Sequence, residues 1–284
     1  MIKLKRLSPL RYPGGKAKVL EFIMKVIKEN NCIGTEYVEP YAGGAGVALG
    51  LLVGGYVSRI HINDIDKGIY YFWEAVLENT QLFVEKIRDT EVTVVEWNHQ
   101  RMINNHQEGY TDFEIGFSTF YLNRCNRSGI IKAGCIGGKN QSGVYKIDAR
   151  FNKENLIKRI RLIASYKDCI NLYNEDTLML LKNRKEQFNH MILYLDPPYY
   201  VKGSSLYRNS YLHKDHQDIL DELKSFKGHW IVSYDNAPQI IDIYRNLRCK
   251  EFNIRYSAGD NRTGKEIMFF SGSLRIPKCD VIIK

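Results

Sequence analysis

The chain has 284 residues, of which 44% are hydrophobic, and a formal net charge of +9. That composition supports a sizeable core, in one large domain or a core domain with an insertion. No apolar run approaches the roughly 20 residues that cross a bilayer, and the basic start, Met1 to Arg6, has no leader-type apolar stretch behind it. Six cysteines, at 32, 125, 135, 169, 249 and 279, form no Cys-x-x-Cys pair and no zinc-ligand spacing; they read as buried thiols of a reducing compartment, with no metal site.

Lys16–Glu29 has helical periodicity, with Val19, Phe22, Ile23, Val26 and Ile27 on one face. Gly14 and Gly15 put Lys16 near its N-terminus, within reach of an anionic carboxylate. Tyr37 and Val38 form a short strand ending at Glu39, and a loop holding Gly43, Gly44 and Gly46 opens the next helix. The spacing is not Gly-x-Gly-x-x-Gly, but bare backbone still comes close to a ligand at a helix N-terminus. A second strand, Arg59–Asn63, closes on Asp64, where doubly wound folds bind ribose hydroxyls.

Residues 67–125 read as four helices, Gly68–Glu78, Gln81–Asp89, Val92–Asn104 and Asp112–Asn123. They are too many for one crossover, so 67–165 reads as a mostly helical inserted unit. The charge gathers there. Residues 121–167 hold eleven Lys/Arg against two acids, while the rest of the chain is balanced, 30 against 30. A solvated charged face is one reading. The other is a nucleic-acid phosphate footprint, because the bases alternate with glycines 129, 134, 137, 138 and 143 and lack helical period.

Asn155–Ala164 is a further helix and Cys169–Tyr173 returns to the sheet. Asp176, at that strand's tip, either caps the helix Thr177–Lys185 or accepts from a cofactor amine. The apolar run Met191–Leu195 ends on Asp196-Pro197-Pro198-Tyr199. A buried parallel strand ends this way at its functional edge, and two prolines take the backbone rigidly out of the sheet with a free carbonyl on Pro197. An ordinary turn would also use Asp and Pro. The functional reading is a seat for a flat heterocycle with an exocyclic amine, stacked on Tyr199 and met by two acceptors. Val201–Ser210 then reads as a loop able to close over the site. His213–Phe226 is an amphipathic helix, Gly228–Tyr234 a strand and Ala237–Asn246 a helix. Lys250–Tyr256 with Glu266–Ser271 forms a closing hairpin, its basic tip at 258–265 either touching DNA or simply turning.

Taken together, these blocks resemble the Dam-type (D12 class) DNA adenine-N6 methyltransferases. Arg11-Tyr12-Pro13-Gly14-Gly15-Lys16 is similar to the family's N-terminal cofactor motif, Val38 to Gly46 to its glycine motif, Asn63-Asp64-Ile65-Asp66 to its ribose motif and Asp196 to Tyr199 to its catalytic motif. Phe120-Tyr121-Leu122-Asn123-Arg124 resembles the opening of its target-recognition region. Tyr12 and Pro13 stand where relatives often have Trp and Ala. Arg127 and Ser128 replace an aromatic and an Asn, so the GATC target of the best-known relatives does not carry over.

The resemblance implies a doubly wound, mostly parallel, seven-stranded α/β sheet of the S-adenosylmethionine-dependent methyltransferase type. Residues 1–66 and 166–284 would form the cofactor domain, and 67–165 an inserted helical recognition domain. It implies S-adenosylmethionine as cofactor, held by Tyr12, Lys16, Glu39, Gly43, Gly44, Gly46, Asp64 and Asp176, with Asp196, Pro197, Pro198 and Tyr199 catalytic. Duplex DNA would meet Arg124, Asn126, Arg127, Lys139 and Lys146. The enzyme is expected to be a monomer in a prokaryotic or phage-infected cytoplasm, with a cognate restriction endonuclease encoded elsewhere.

Overall fold

Seven strands form one sheet in the computed structural model, which describes residues 7–11, 19–200, 211–256 and 262–278. They are β1 (Glu36–Glu39), β2 (Arg59–Asn63), β3 (Ile170–Tyr173), β4 (Ile192–Leu195), β5 (His229–Asp235), β6 (Arg248–Tyr256) and β7 (Arg262–Phe270), in spatial order β3-β2-β1-β4-β5-β7-β6. The first five run parallel; β7 pairs antiparallel with β5 and with β6. Among the described residues the α-helices are α1 (Leu20–Glu29), α2 (Gly46–Val53), α3 (Lys67–Glu78), α4 (Thr80–Asp89), α5 (Val94–Asn105), α6 (Asp112–Cys125), α7 (Lys153–Ala164), α8 (Thr177–Asn183), α9 (Lys185–Phe188), α10 (His213–Lys224) and α11 (Pro238–Tyr244).

The sheet is covered on both faces, which is why β4 can be apolar throughout. Successive side chains of a strand point to opposite faces. Ile192 and Tyr194 enter one core with α1, α2 and the helices α3 to α7. Leu193 and Leu195 enter the other, beneath α8, α9, α10 and α11. The helices between β2 and β3 therefore share one continuous core with the sheet face they cover.

Local signals start these helices. Asp66 caps α3 through the Gly68 amide at 2.8 Å, and Thr93 caps α5 through the Glu96 amide at 3.1 Å. Thr111 and Glu114 form a reciprocal capping box at α6. Glycines then set how closely helices approach. A Cβ on Gly116 of α6 would lie 2.5 Å from the Tyr71 backbone of α3, and one on Gly50 of α2 would lie 2.4 Å from Leu20 of α1. Phe72, Phe83, Phe117 and Phe120 interlock where α3, α4 and α6 meet, with Phe72 and Phe120 stacked.

The expected helix over Thr177–Lys185 is two short helices, with a break at Arg184. Arg184 pairs with Glu175 at 2.7 Å and lies 4.5 Å over the Tyr173 ring, a tertiary use that helical pattern does not announce. The first hairpin strand ends at Tyr256 as expected, while the second starts nearer the tip, at Arg262 rather than Glu266. The loop expected over 201–210 and part of the hairpin tip lie outside the described residues. Strand order reverses between β1 and β4: the chain leaves β1 toward β2 and β3, then returns to lay β4 on β1's other side. Open α/β sheets bind ligands outside the carboxyl ends of such a pair.

Candidate active site

At the carboxyl end of β1, Glu39 is fully buried and its Oε2 accepts from the Ala48 amide in the first turn of α2, 2.9 Å away. This carboxylate sits beneath the glycine loop, where an anion suits a helix N-terminus. The loop above it uses the left-handed region twice, at Gly43 and at Ala45, both with φ of 47°. A non-glycine residue there costs about 1–2 kcal/mol, and such strain collects at functional sites. Gly43 is gripped from two sides. Its amide donates to Asp64 Oδ2 at 2.9 Å, and its carbonyl accepts from Trp73 Nε1 of α3 at 2.9 Å. Asp64 Oδ1 accepts from the Asp66 amide at 2.9 Å. Asp64 thus orients the glycine loop as well as presenting an acid at the tip of β2. Beside it Asn63, buried, donates to the carbonyls of Pro40 and Glu175 at 2.9 and 3.0 Å, tying the loops after β1, β2 and β3 together.

Across the switch point, Asp196 is buried and its Oδ1 accepts from Ser233 Oγ of β5 at 2.8 Å. Ser233 Oγ also lies 2.9 Å from the Tyr194 hydroxyl. The single serine proton goes to the carboxylate, so Tyr194 donates to Ser233, and burial pushes the Tyr194 phenol far above its usual range. Pro197 is buried and Pro198 half-buried. Tyr199 is buried too, and its hydroxyl donates to Glu266 Oε1 of β7 at 2.7 Å. The next amide, of Tyr200, donates to Asp235 Oδ1 at 2.9 Å. The turn after β4 is therefore pinned by Ser233 and Asp235 of β5 and by Glu266 of β7, the strand beyond β5.

Asp176 is exposed at the tip of β3 and caps α8, its Oδ1 accepting from the Met179 amide at 3.1 Å. Behind the Tyr200 turn, the hydroxyls of Tyr41 and Tyr211 meet at 2.9 Å, and burial raises both phenols, Tyr211 to about 12. His216 of α10 packs against Tyr200, Tyr211 and Tyr234. Tyr12 and Lys16 lie outside the described residues. Among the described residues no group of three His, Cys, Asp or Glu is gathered to hold a metal ion, and no helix is long and apolar enough to cross a membrane.

The sequence profile of the D12 class N6 adenine-specific DNA methyltransferases matches residues 12–258, which takes in both loops of this crevice. The chain belongs to this family. It is an adenine-specific DNA methyltransferase. A curated relative, the Type II methyltransferase M.MjaIII of Methanocaldococcus jannaschii, is 22% identical over 230 residues, 74% of each chain. Among solved structures, the fold is similar to a candidate RNA methyltransferase of Pyrococcus horikoshii (TM-score 0.43, 12% identity, 95% of this chain and 89% of that one). It is also similar to a candidate class I S-adenosylmethionine-dependent methyltransferase of Listeria monocytogenes (TM-score 0.40, 8% identity, 99% and 66%).

The basic segment of this methyltransferase divides into two sets. Asn126 is fully buried; its amide donates to the carbonyls of Ile130 and Ile131 at 3.0 and 2.8 Å and accepts from Trp97 Nε1 at 2.6 Å. Arg124 donates to the carbonyls of Pro9 and Arg150, and burial, then the charges of Arg11 and Arg159, draws it down to about 9. Both residues spend their side chains on backbone carbonyls, Asn126 within the segment and Arg124 both within it and on Pro9. Arg127, Lys139 and Lys146 are exposed. The loop carrying the two lysines is internally braced: the Gln141 amide donates to Ile136 O at 2.9 Å and accepts from Ile147 N at 2.8 Å. It holds Val144 94% and Tyr145 64% exposed beside these bases. The sequence reading missed Ser233, Glu266 and Asp235 around the Asp-Pro-Pro-Tyr turn. Nothing local to those residues signals their use; only the pairing of β5 with β4 and β7 does.

Proposed function

We propose that the chain transfers a methyl group from S-adenosylmethionine to N6 of an adenine turned out of duplex DNA, with Asp196, the Pro197 carbonyl and Tyr199 addressing the base. What carries this reading is the placing of the Asp196–Tyr199 turn and the glycine loop on the two sides of one switch point, after β4 and β1. The residues on the cofactor side fit such a molecule. Bare backbone opens α2, and Asp64 and Asp176 at the tips of β2 and β3 offer acceptors for ribose hydroxyls and an adenine amine. Tyr12, Lys16, Gly43, Gly44 and Gly46 complete the proposed set, with Glu39 supporting the loop from beneath.

S-adenosylmethionine, when bound, supplies a methyl group already activated by its sulfonium, so no metal is called for. The chain's task is the amine. Adenine N6 is a poor nucleophile because its lone pair is delocalised into the ring. Asp196 and the Pro197 carbonyl, accepting its two N–H bonds, favour a pyramidal nitrogen and stabilise the positive charge that develops on it. The surplus N6 proton then passes to the Asp196 carboxylate or to water, leaving neutral N6-methyladenine. Ser233 fixes the Asp196 carboxylate beforehand, so little reorganisation is needed at the moment of reaction. Tyr199 stacks the extruded ring, worth about 1–3 kcal/mol, which offsets part of the few kcal/mol lost on unstacking. Arg127, Lys139 and Lys146 contact the duplex, with Arg127 reading a guanine edge or holding a phosphate.

The enzyme acts as a monomer on DNA in a prokaryotic or phage-infected cytoplasm, and a cognate endonuclease is its proposed genetic partner. Transfer of labelled methyl from S-adenosylmethionine to duplex DNA, RNA and protein tests the reading. Label should enter duplex DNA and be recovered as N6-methyladenine; label in RNA or protein alone would overturn it.

A further inference from the structure

The segment Ser8–Arg11 runs as a strap between the glycine loop and the basic segment. On the basic side, one buried side chain holds it. Asn123 of α6 is 1% exposed; its Oδ1 accepts from the Arg11 amide at 2.6 Å and its Nδ2 donates to the Arg11 carbonyl at 2.7 Å. Both backbone groups of Arg11 are thus met by one amide, as a neighbouring strand would meet them. The second N–H of Asn123 Nδ2 donates to the Gly129 carbonyl at 2.9 Å, two residues beyond Arg127. Gly129 lies so close to the strap that a Cβ there would fall 2.5 Å from the Arg11 carbonyl oxygen. The Arg11 guanidinium returns to the Asn126 carbonyl at 2.9 Å, and Arg159 donates to the Ser8 carbonyl at 3.1 Å.

On the other side the strap rests on the glycine loop. A Cβ built on Gly44 would lie 2.8 Å from Ser8 Oγ and 3.7 Å from the Leu10 carbonyl oxygen. The glycine loop, the strap and the loop carrying Arg127 are therefore three layers in direct contact. Asn123 is the pin through two of them.

We infer that Asn123 is a positioning residue that couples duplex binding at the basic segment to cofactor binding at the glycine loop, acting through the Ser8–Arg11 strap. The inference rests on the proposed function for what binds at either end. A shift of Arg127 onto DNA moves Gly129 and Asn123, and through Arg11 and Ser8 it resets the backbone around Gly44. Buried, close-packed contacts transmit such shifts because they do not deform continuously. Coupling of this kind is reciprocal: each ligand changes the other's affinity by the same factor.

The test titrates S-adenosylhomocysteine into the full chain, alone and with a saturating pool of random-sequence duplexes. In the wild type the duplex should tighten cofactor-product binding by about 5- to 150-fold, the usual span of such coupling. Asn123→Ala should bring that factor close to one while each ligand alone binds within about threefold of wild type. Asn123→Asp keeps the acceptor for the Arg11 amide but loses both donors, and should give an intermediate factor. If Asn123→Ala fails to fold, Asn123→Asp and Gly129→Ala carry the test, the second by forcing the loop off the strap. A residue that only holds the fold would weaken both ligands and lower thermal stability with the factor retained, and that result overturns the inference. So does a wild type that binds both ligands with no coupling. A wild type that binds no duplex or no cofactor product sinks the functional reading instead.

Discussion

The Tyr199 hydroxyl donates to Glu266 Oε1 at 2.7 Å, joining the turn after β4 to the antiparallel strand β7, 67 positions later. The phenol is the anchor, so the orientation of the ring proposed to stack the base is set by a strand outside the parallel sheet. Glu266→Gln keeps a carbonyl acceptor and should retain most of kcat. Glu266→Ala frees the ring and should lower kcat about tenfold, roughly 1.4 kcal/mol, with cofactor affinity unchanged. Tyr199→Ala should cost more, up to about 1–3 kcal/mol of base binding. Single-turnover rates with a fixed duplex rank the three variants; equal rates for Glu266→Ala and wild type would remove Glu266 from the site.

Asp196→Ala should abolish methyl transfer while leaving cofactor affinity near wild type, because the proposed role of the acid is to meet the target amine while the cofactor is held by the loops after β1 to β3. Ser233→Ala removes the hydroxyl that holds Asp196 at 2.8 Å. It should lower kcat about tenfold or more while keeping residual activity. Calorimetry with S-adenosylhomocysteine beside turnover measurements separates the roles. Lost cofactor binding with full turnover at saturation would reverse the assignment.

Asp64 accepts from the amides of Gly43 and Asp66, so its loss unties the glycine loop as well as removing the acceptor proposed for ribose. Asp64→Ala should raise the cofactor dissociation constant by more than the about 1.5–3 kcal/mol of one charged hydrogen bond. Asp64→Asn, able to accept from one of the two amides, should fall between. Unchanged cofactor titration in the folded alanine variant would make Asp64 structural alone.

Duplex affinity should fall steeply with salt, since each neutralised phosphate releases condensed counterions. Lys139→Ala or Lys146→Ala should reduce the slope of log affinity against log salt by about one unit, for every sequence alike. Arg127→Ala, if Arg127 reads a base, should instead narrow the gap between cognate and non-cognate duplexes by roughly 1–3 kcal/mol. Fluorescence anisotropy at several salt concentrations measures both. A salt-insensitive affinity, unmoved when all three are neutralised, would leave the charge as a solvated face.

His216 is fully buried against Tyr234, its Nε2 has no hydrogen-bond partner among the described residues, and burial draws its pKa down from 6.5 to about 4. The unfolded chain therefore binds a proton at this residue between about pH 6.5 and 4 that the folded chain refuses. Stability from this group is full above the unfolded pKa and falls as pH drops through that window, by up to about 3 kcal/mol. His216→Phe should flatten the decline over that range. Urea unfolding of both proteins at pH 7 and pH 4.5 checks it; parallel declines would show that His216 is not the group.

Much of this protein was already legible in the sequence, because its signals are local. Helical period, the cap offered by Asp176, and strands ending on Glu39, Asp64 and Asp196 each depend on a few neighbouring residues. Their chain order, with the motif blocks that resemble the family's, was enough to suggest the doubly wound sheet and the family. The partners of those acids were not legible. Ser233 reaches Asp196 because β5 lies beside β4, and Glu266 reaches Tyr199 because β7 folds back on β5. The same holds for the basic segment, where charge alone could not tell the inward-turned Arg124 and Asn126 from the exposed Arg127, Lys139 and Lys146. Arg124 turns inward to the carbonyl of Pro9, 115 positions away, and Asn126 to Trp97, 29 positions away. Contacts at such separations leave no periodic mark in sequence, since each is formed only when packing of the whole chain offsets the entropy of bringing its two ends together.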